Sequence, residues 1–111
     1  MKVMNQFIQV VTTTETKEQA RAIARYLVEE KLAACVQISD VIESTYLWKG
    51  KIETAREFHC LIKTREDLFG RVQEVIKKLH SYETPEIIAL PIINGSPDYL
   101  QWLEESLAQK I

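Results

Sequence analysis

Apolar and polar positions along the chain fall into two alternating rhythms. Phe7 to Val11 is a short apolar run that predicts a first strand, ended by Thr12-Thr13-Thr14. From Ala20 the apolar residues Ile23, Ala24, Leu27 and Val28 recur at helical spacing, with Arg21, Arg25, Glu29 and Glu30 on the wet side. Thr16-Lys17-Glu18-Gln19 fits a capping box, so this helix is expected to start at Thr16 and run to about Lys31. Cys35 to Thr64 then reads as two long antiparallel strands joined at Lys49-Gly50. They are filled by β-branched and aromatic residues such as Val36, Ile38, Tyr46, Trp48, Ile52 and Phe58. Ser39-Asp40 interrupts the first arm and predicts a bend or bulge. Ile52, Phe58, Cys60 and Ile62 share parity on the second arm and face one side.

Thr64 follows the hairpin and is read as the next N-cap, with Asp67 at the capping-box position. A second helix is predicted from about Arg65 to Leu79, with Leu68, Val72, Val75, Ile76 and Leu79 as its stripe and Lys77 and Lys78 in its last turn. His80 to Pro85 is loop. Glu86 to Ile92 is an apolar strand, and Pro91, which has no N–H to donate, assigns it to an edge. Ser96 and Pro97 open a last helix to Gln109, with Leu100, Leu103 and Leu107 inward. With right-handed crossovers, this order predicts an α+β, ferredoxin-like βαββαβ fold. It has a four-stranded antiparallel sheet, a long central hairpin and an extra C-terminal helix, in a single domain over residues 1–111.

The arms are longer than the roughly 5–6 residues of an ordinary strand, so the hairpin should overhang its own core. Tyr46, Leu47 and Trp48 lie near its tip and are the expected interface with further copies of the chain, because bare edges with exposed aromatics are a liability in a monomer. A net charge of −2, from 14 basic and 16 acidic residues, gives no case for nucleic acid or an anionic membrane. No segment approaches the about 20 apolar residues of a membrane span, and residues 1–14 lack a signal-peptide pattern, so a cytoplasmic location is expected. Cys60 should stand opposite about residue 39, too far from Cys35 for a disulfide, and both thiols are expected to stay reduced.

Several chemistries lack their residues. The third strand has no basic Gly-aromatic RNA motif, Thr12-Thr13-Thr14 stands where a C-x-x-C metal pair would sit, and three glycines form no phosphate loop. No nucleophile has a base beside it in a readable order, so no catalysis is expected. The remaining polar concentration is the loop from His80 to Glu86. His80 and Glu83 are candidate metal ligands, with Tyr82 and Glu86 as neighbours and Trp48 as a further pocket candidate, against interface filler; the competing reading of the loop is that it caps the second helix and fixes the turn. Lys63 and Arg65, flanking Thr64 at a predicted helix start, are candidates for a small anionic ligand, against a plain solvated helix start.

The segments EKLAACVQI, STYLWKGKIE, LIKT, HSYETPEIIALPI and DYLQWL occur in order, and together they resemble the CutA family of divalent-cation-tolerance proteins over nearly the whole chain. The resemblance implies a ferredoxin-like subunit in a homotrimer and a role in tolerance of copper and other divalent cations. Copper or another divalent cation is the expected ligand, and none is expected to be required for folding. The resemblance also implies a likeness to PII-type signalling trimers, which bind small ligands between subunits; a PII-like trimer with no physiological metal site is the alternative function. The family's usual His-Pro-Tyr-Glu is His80-Ser81-Tyr82-Glu83 here. Of the cysteine and two histidines that hold copper in some members, this chain has Val11, Leu79 and His80.

Overall fold

The structure is a computed structural model and describes residues 6–109. Part of the N-terminal stretch read for a leader, residues 1–5, therefore lies outside the described residues. The elements are β1 (Phe7–Thr14), α1 (Lys17–Glu29), β2 (Cys35–Trp48), β3 (Lys51–Arg65), a 3₁₀ turn (Glu66–Leu68), α2 (Phe69–Leu79), β4 (Ile88–Ile92) and α3 (Pro97–Glu105). The sheet is antiparallel in the order β2-β3-β1-β4. This is the ferredoxin-like arrangement, with the first hairpin arm and the Pro91 strand at the edges. Pro91 stands opposite Ile8.

Local chemistry explains the boundaries. The Thr16 hydroxyl accepts from the Gln19 amide at 3.1 Å and caps α1. Gln19 does not reach back; its side-chain amide donates instead to the Leu79 carbonyl at the end of α2. The helix stops at Glu29 because Lys31 turns left-handed at φ 58. Lys31 N–H then donates to Val28 and Leu32 N–H to Leu27, closing the helix end by a Schellman pattern. Ile23, Leu27, Val72 and Ile76 from the two helices meet Ile8, Val10, Cys60 and Ile62 from the sheet, all within 5% exposure. Burial pushes the Cys60 thiol up to about 11, away from Cys35, and both cysteines are free.

At Thr64 the expectation fails. The ladder with β1 extends to Phe7 opposite Arg65, and Glu66 N–H donates to the Gln6 carbonyl at 2.8 Å, so the chain stays extended past Thr64. Thr64 is a buried strand residue whose hydroxyl donates to the Leu32 carbonyl at 2.7 Å, and α2 begins only at Phe69. Arg65 is 1% exposed. Its guanidinium donates to Asp67 at 2.6 Å, to Glu104 at 2.8 Å and to the Ala108 carbonyl at 2.9 Å, fastening the end of α3 to the sheet. The hydrogen bond to Asp67, ahead of the attraction of the two carboxylates, holds Arg65 above its ordinary pKa.

The hairpin turns at Lys49 (φ 51) and Gly50 (φ 80), both left-handed, as a two-residue hairpin loop that follows the strand twist requires. Only Phe58 to Arg65 of β3 pair with β1; Lys51 to Glu57 pair with β2 alone. The outer half therefore projects from the body, and the molecule measures 47 × 30 × 25 Å with a radius of gyration of 14.9 Å, against about 13 Å for a compact chain of this size. Replacing Arg65 by Ala should lower unfolding free energy by about 2 kcal/mol, because the buried guanidinium loses the charge-assisted hydrogen bonds that tie α3 down, while its part-exposed carboxylate partners return to water. Urea denaturation checks this; a change under about 0.5 kcal/mol, the size expected of an ordinary surface site, would contradict it.

Candidate functional site

The site forms where the outer half of β2, beyond its bulge, meets the end of β1 and the loop after α2. Ile38 pairs with Cys60 and Val41 with Phe58, so Ser39 and Asp40 stand opposite His59 alone. The Ser39 hydroxyl accepts from His59 N–H at 2.8 Å, and the Asp40 carboxylate accepts from Val41 N–H at 2.8 Å. The extra residue flips the parity of β2. Beyond it Ile42 faces Glu57, Tyr46 faces Glu53 and Trp48 faces Lys51. Tyr46 and Trp48 thus share the side of the ribbon that carries Glu57. Leu47 and its cross-strand partner Ile52 take the other side and are 71% and 78% exposed.

Beneath Tyr46 and Trp48 lies a cavity of about 690 Å³. Its lining includes Glu57, Tyr82, Glu83 and Glu86. Glu57 is the residue the sequence reading missed. Its alternation with Phe58 was legible, but its depth depends on β1 and the Tyr82 loop coming over it, contacts far apart in sequence. Its carboxylate accepts from the Thr13 hydroxyl at 3.4 Å, and the Tyr82 phenol stands beside it. Burial first, then the bond to Glu57 and its negative charge, raise the Tyr82 phenol well above its ordinary 10.0.

His80 has both ring nitrogens engaged. Nδ1 accepts from the Tyr82 N–H at 3.1 Å, which leaves the proton on Nε2, and Nε2–H donates to the Thr13 carbonyl at 2.6 Å. Its ring also packs on Tyr82, with centroids 4.8 Å apart. His80 is therefore the strap that holds the loop to β1. A metal on His80 would have to break one of these bonds. Among the described residues no three His, Cys, Asp or Glu side chains assemble as a metal-ligand group, so the donors of one chain do not fit a copper or zinc centre.

Of the residues singled out in the sequence, the structure brings together Trp48, Tyr82, Glu83, Glu86 and Tyr46. It does not bring Lys63 or Arg65 to them. Both lie at the far end of β3, where Lys63 donates to Gln37 at 2.6 Å and Arg65 is committed to Asp67 and Glu104. Thr64 is a strand residue and not a helix start, so the backbone on which the expected anion site was placed is extended there and turns only at Glu66–Leu68.

Replacing Tyr82 by Phe should cost about 1.5–3 kcal/mol near neutral pH, through loss of a hydrogen bond to a buried carboxylate. The raised phenol makes a stabilising contribution that is complete below pH 10.0 and is lost as pH rises past it, so the variant's stability should also fall less steeply in alkali. Urea unfolding at neutral and alkaline pH measures both; equal alkaline slopes would contradict the assignment.

The family model described as CutA1 divalent ion tolerance protein matches residues 8–106. The chain is 45% identical over 97 residues to the divalent-cation tolerance protein CutA of Thermus thermophilus, covering 87% of this chain and 94% of that one. It is 46% identical over 99 residues to the chloroplastic Protein CutA 1 of Oryza sativa, covering 89% of this chain but 56% of that longer protein. The crystal structure of CutA1 from Oryza sativa superposes with a TM-score of 0.91 at 44% identity, covering 95% of this chain and 96% of that one. A match of this extent, in sequence and in fold together, makes the chain a member of the CutA1 divalent ion tolerance family.

Proposed function

We propose that the protein acts in divalent-cation tolerance as a homotrimeric, non-catalytic sensing protein whose ligand site is the cavity beneath the hairpin. The observation that carries this is the cavity itself. About 690 Å³ is the size of a small-molecule site, far larger than an ion needs, and its base holds a buried carboxylate. The reading is the PII-like alternative in preference to a resident copper ion, because the imidazole of His80 is spent on Thr13 and Tyr82.

The trimer is supported by the projecting ribbon. Leu47 and Ile52 form an apolar pair on one of its sides, and covering each is worth about 1.5–3 kcal/mol at full burial. The unpaired backbone of Lys51 to Glu57 on the side away from β2 offers a further chain an edge to join. The cytoplasm is the proposed compartment, where two unpaired thiols are kept reduced. A second reading, direct binding of copper or zinc, needs Glu83 or Glu86 to be joined by ligands from another subunit.

Sedimentation at micromolar concentration should give three chains of 12.9 kDa, and Leu47→Glu should weaken the assembly by putting an unpaired charge into an apolar contact. A stable monomer would remove this reading. Copper and zinc titrations separate the two ligand readings. His80→Ala should lower stability and leave metal affinity within twofold of the parent. Loss of micromolar copper binding in both His80→Ala and Glu83→Ala would restore the metal site.

A further inference from the structure

We propose that the ligand of this cavity is an elongated organic cation, an alkyl chain carrying ammonium or guanidinium groups. The inference rests on the reading of the cavity as the ligand site and names the class of molecule it takes. Three carboxylates line it, Glu57, Glu83 and Glu86, and no Lys, Arg or His does. Glu57 is 6% exposed. Among the described ion pairs none involves it; its partners are the neutral hydroxyls of Thr13 and Tyr82. A carboxylate withdrawn from water is stabilised when a positive charge meets it, and Glu57 lines the cavity, from which such a charge can reach it. Three negative groups with no cationic side chain among the lining residues disfavour phosphates, nucleotides and carboxylates.

The aromatic residues choose between an organic cation and a bare metal ion. Tyr46 and Trp48 form the outer wall, where ring faces attract ammonium and guanidinium groups and cover the methylenes between them. The Trp48 indole already draws a cation in this molecule, the Lys49 ammonium, 5.5 Å from its centroid. Length follows from the register. Ile42, opposite Glu57, and Tyr46 are four residues apart on β2, which separates their backbones by about 13 Å. A single ammonium cannot touch both ends, whereas a chain with cationic groups spaced along it can. The inner end would pair with Glu57 and the outer groups with Glu83, Glu86 and the aromatic wall.

Calorimetry on the full chain in its native assembly tests this at physiological salt. The cation probes are methylammonium, agmatine and spermidine; ATP, acetate, magnesium and zinc are the comparison probes. Agmatine or spermidine should bind saturably, at least tenfold tighter than methylammonium. Glu57→Gln, which keeps the shape and removes the charge, should weaken that binding at least tenfold. Circular dichroism establishes that this variant folds. If it does not, Trp48→Leu takes its place and should weaken binding at least threefold. Cation binding that neither variant changes would overturn the proposal, because it would then be a general surface attraction. Binding of ATP, acetate or a metal that Glu57→Gln abolishes, without binding of the organic cations, would overturn the ligand class and leave the cavity as the site. No saturable binding by any probe would overturn both.

Discussion

Two residues of β2, Ser39 and Asp40, stand opposite a single residue of β3, and the outer half of the molecule depends on that mismatch. Continued without it, the register would put Tyr46 and Trp48 on the side of Phe58 and Cys60, the helix-covered side of the sheet. With it they turn to the side of Glu57. The bulge is fixed chemically as well as geometrically. The Ser39 hydroxyl replaces a strand partner for His59 N–H, and Asp40 satisfies Val41 N–H. A device of one extra residue thus decides which aromatic residues cover the cavity and which apolar pair is left outside.

The other wall is set by an equally local arrangement. The loop after α2 is held by His80, which ties it to the end of β1 through Thr13 and to itself through the Tyr82 amide, and by the Ser81 hydroxyl, which donates to Glu15 at 3.4 Å. That places the Tyr82 phenol against Glu57, so one imidazole positions the hydroxyl that helps keep a buried carboxylate in the fold. Gln19 adds a second tie, from α1 to the end of α2 just before the loop. The polar cluster is therefore rigid scaffold at His80 and open chemistry at Glu83 and Glu86. Those are different roles for neighbours in sequence.

What the sequence makes legible follows from how far each feature reaches. The two-residue turn at Lys49-Gly50, the edge strand with Pro91, the interruption at Ser39-Asp40 and most of the helical stripes are local, and the structure contains them; Val28 and Leu79, placed on the stripes, are exposed. Thr64 is misread because its capping pattern is real locally, but the pairing of Phe7 with Arg65 keeps the chain extended, and only β1 supplies that information. Arg65 is misread with it. A guanidinium that looks solvated in sequence is buried because Asp67 and Glu104 converge on it from a following turn and from a helix 39 residues away. Glu57 escapes notice as one of 16 acidic residues, since nothing within a few positions marks it as buried.

The bulge aims residue 46, and not residue 47, at the loop that carries Glu83. Cross-linking with a short bis-maleimide measures this directly, in a chain with Cys35→Ser, Glu83→Cys and either Tyr46→Cys or Leu47→Cys. Intrachain links, which keep the mass of one chain under denaturing conditions, separate this geometry from links between subunits. The predicted result is an intrachain link with Tyr46→Cys and none with Leu47→Cys. A link formed by Leu47→Cys alone would mean the opposite parity and would contradict the placement of the cavity.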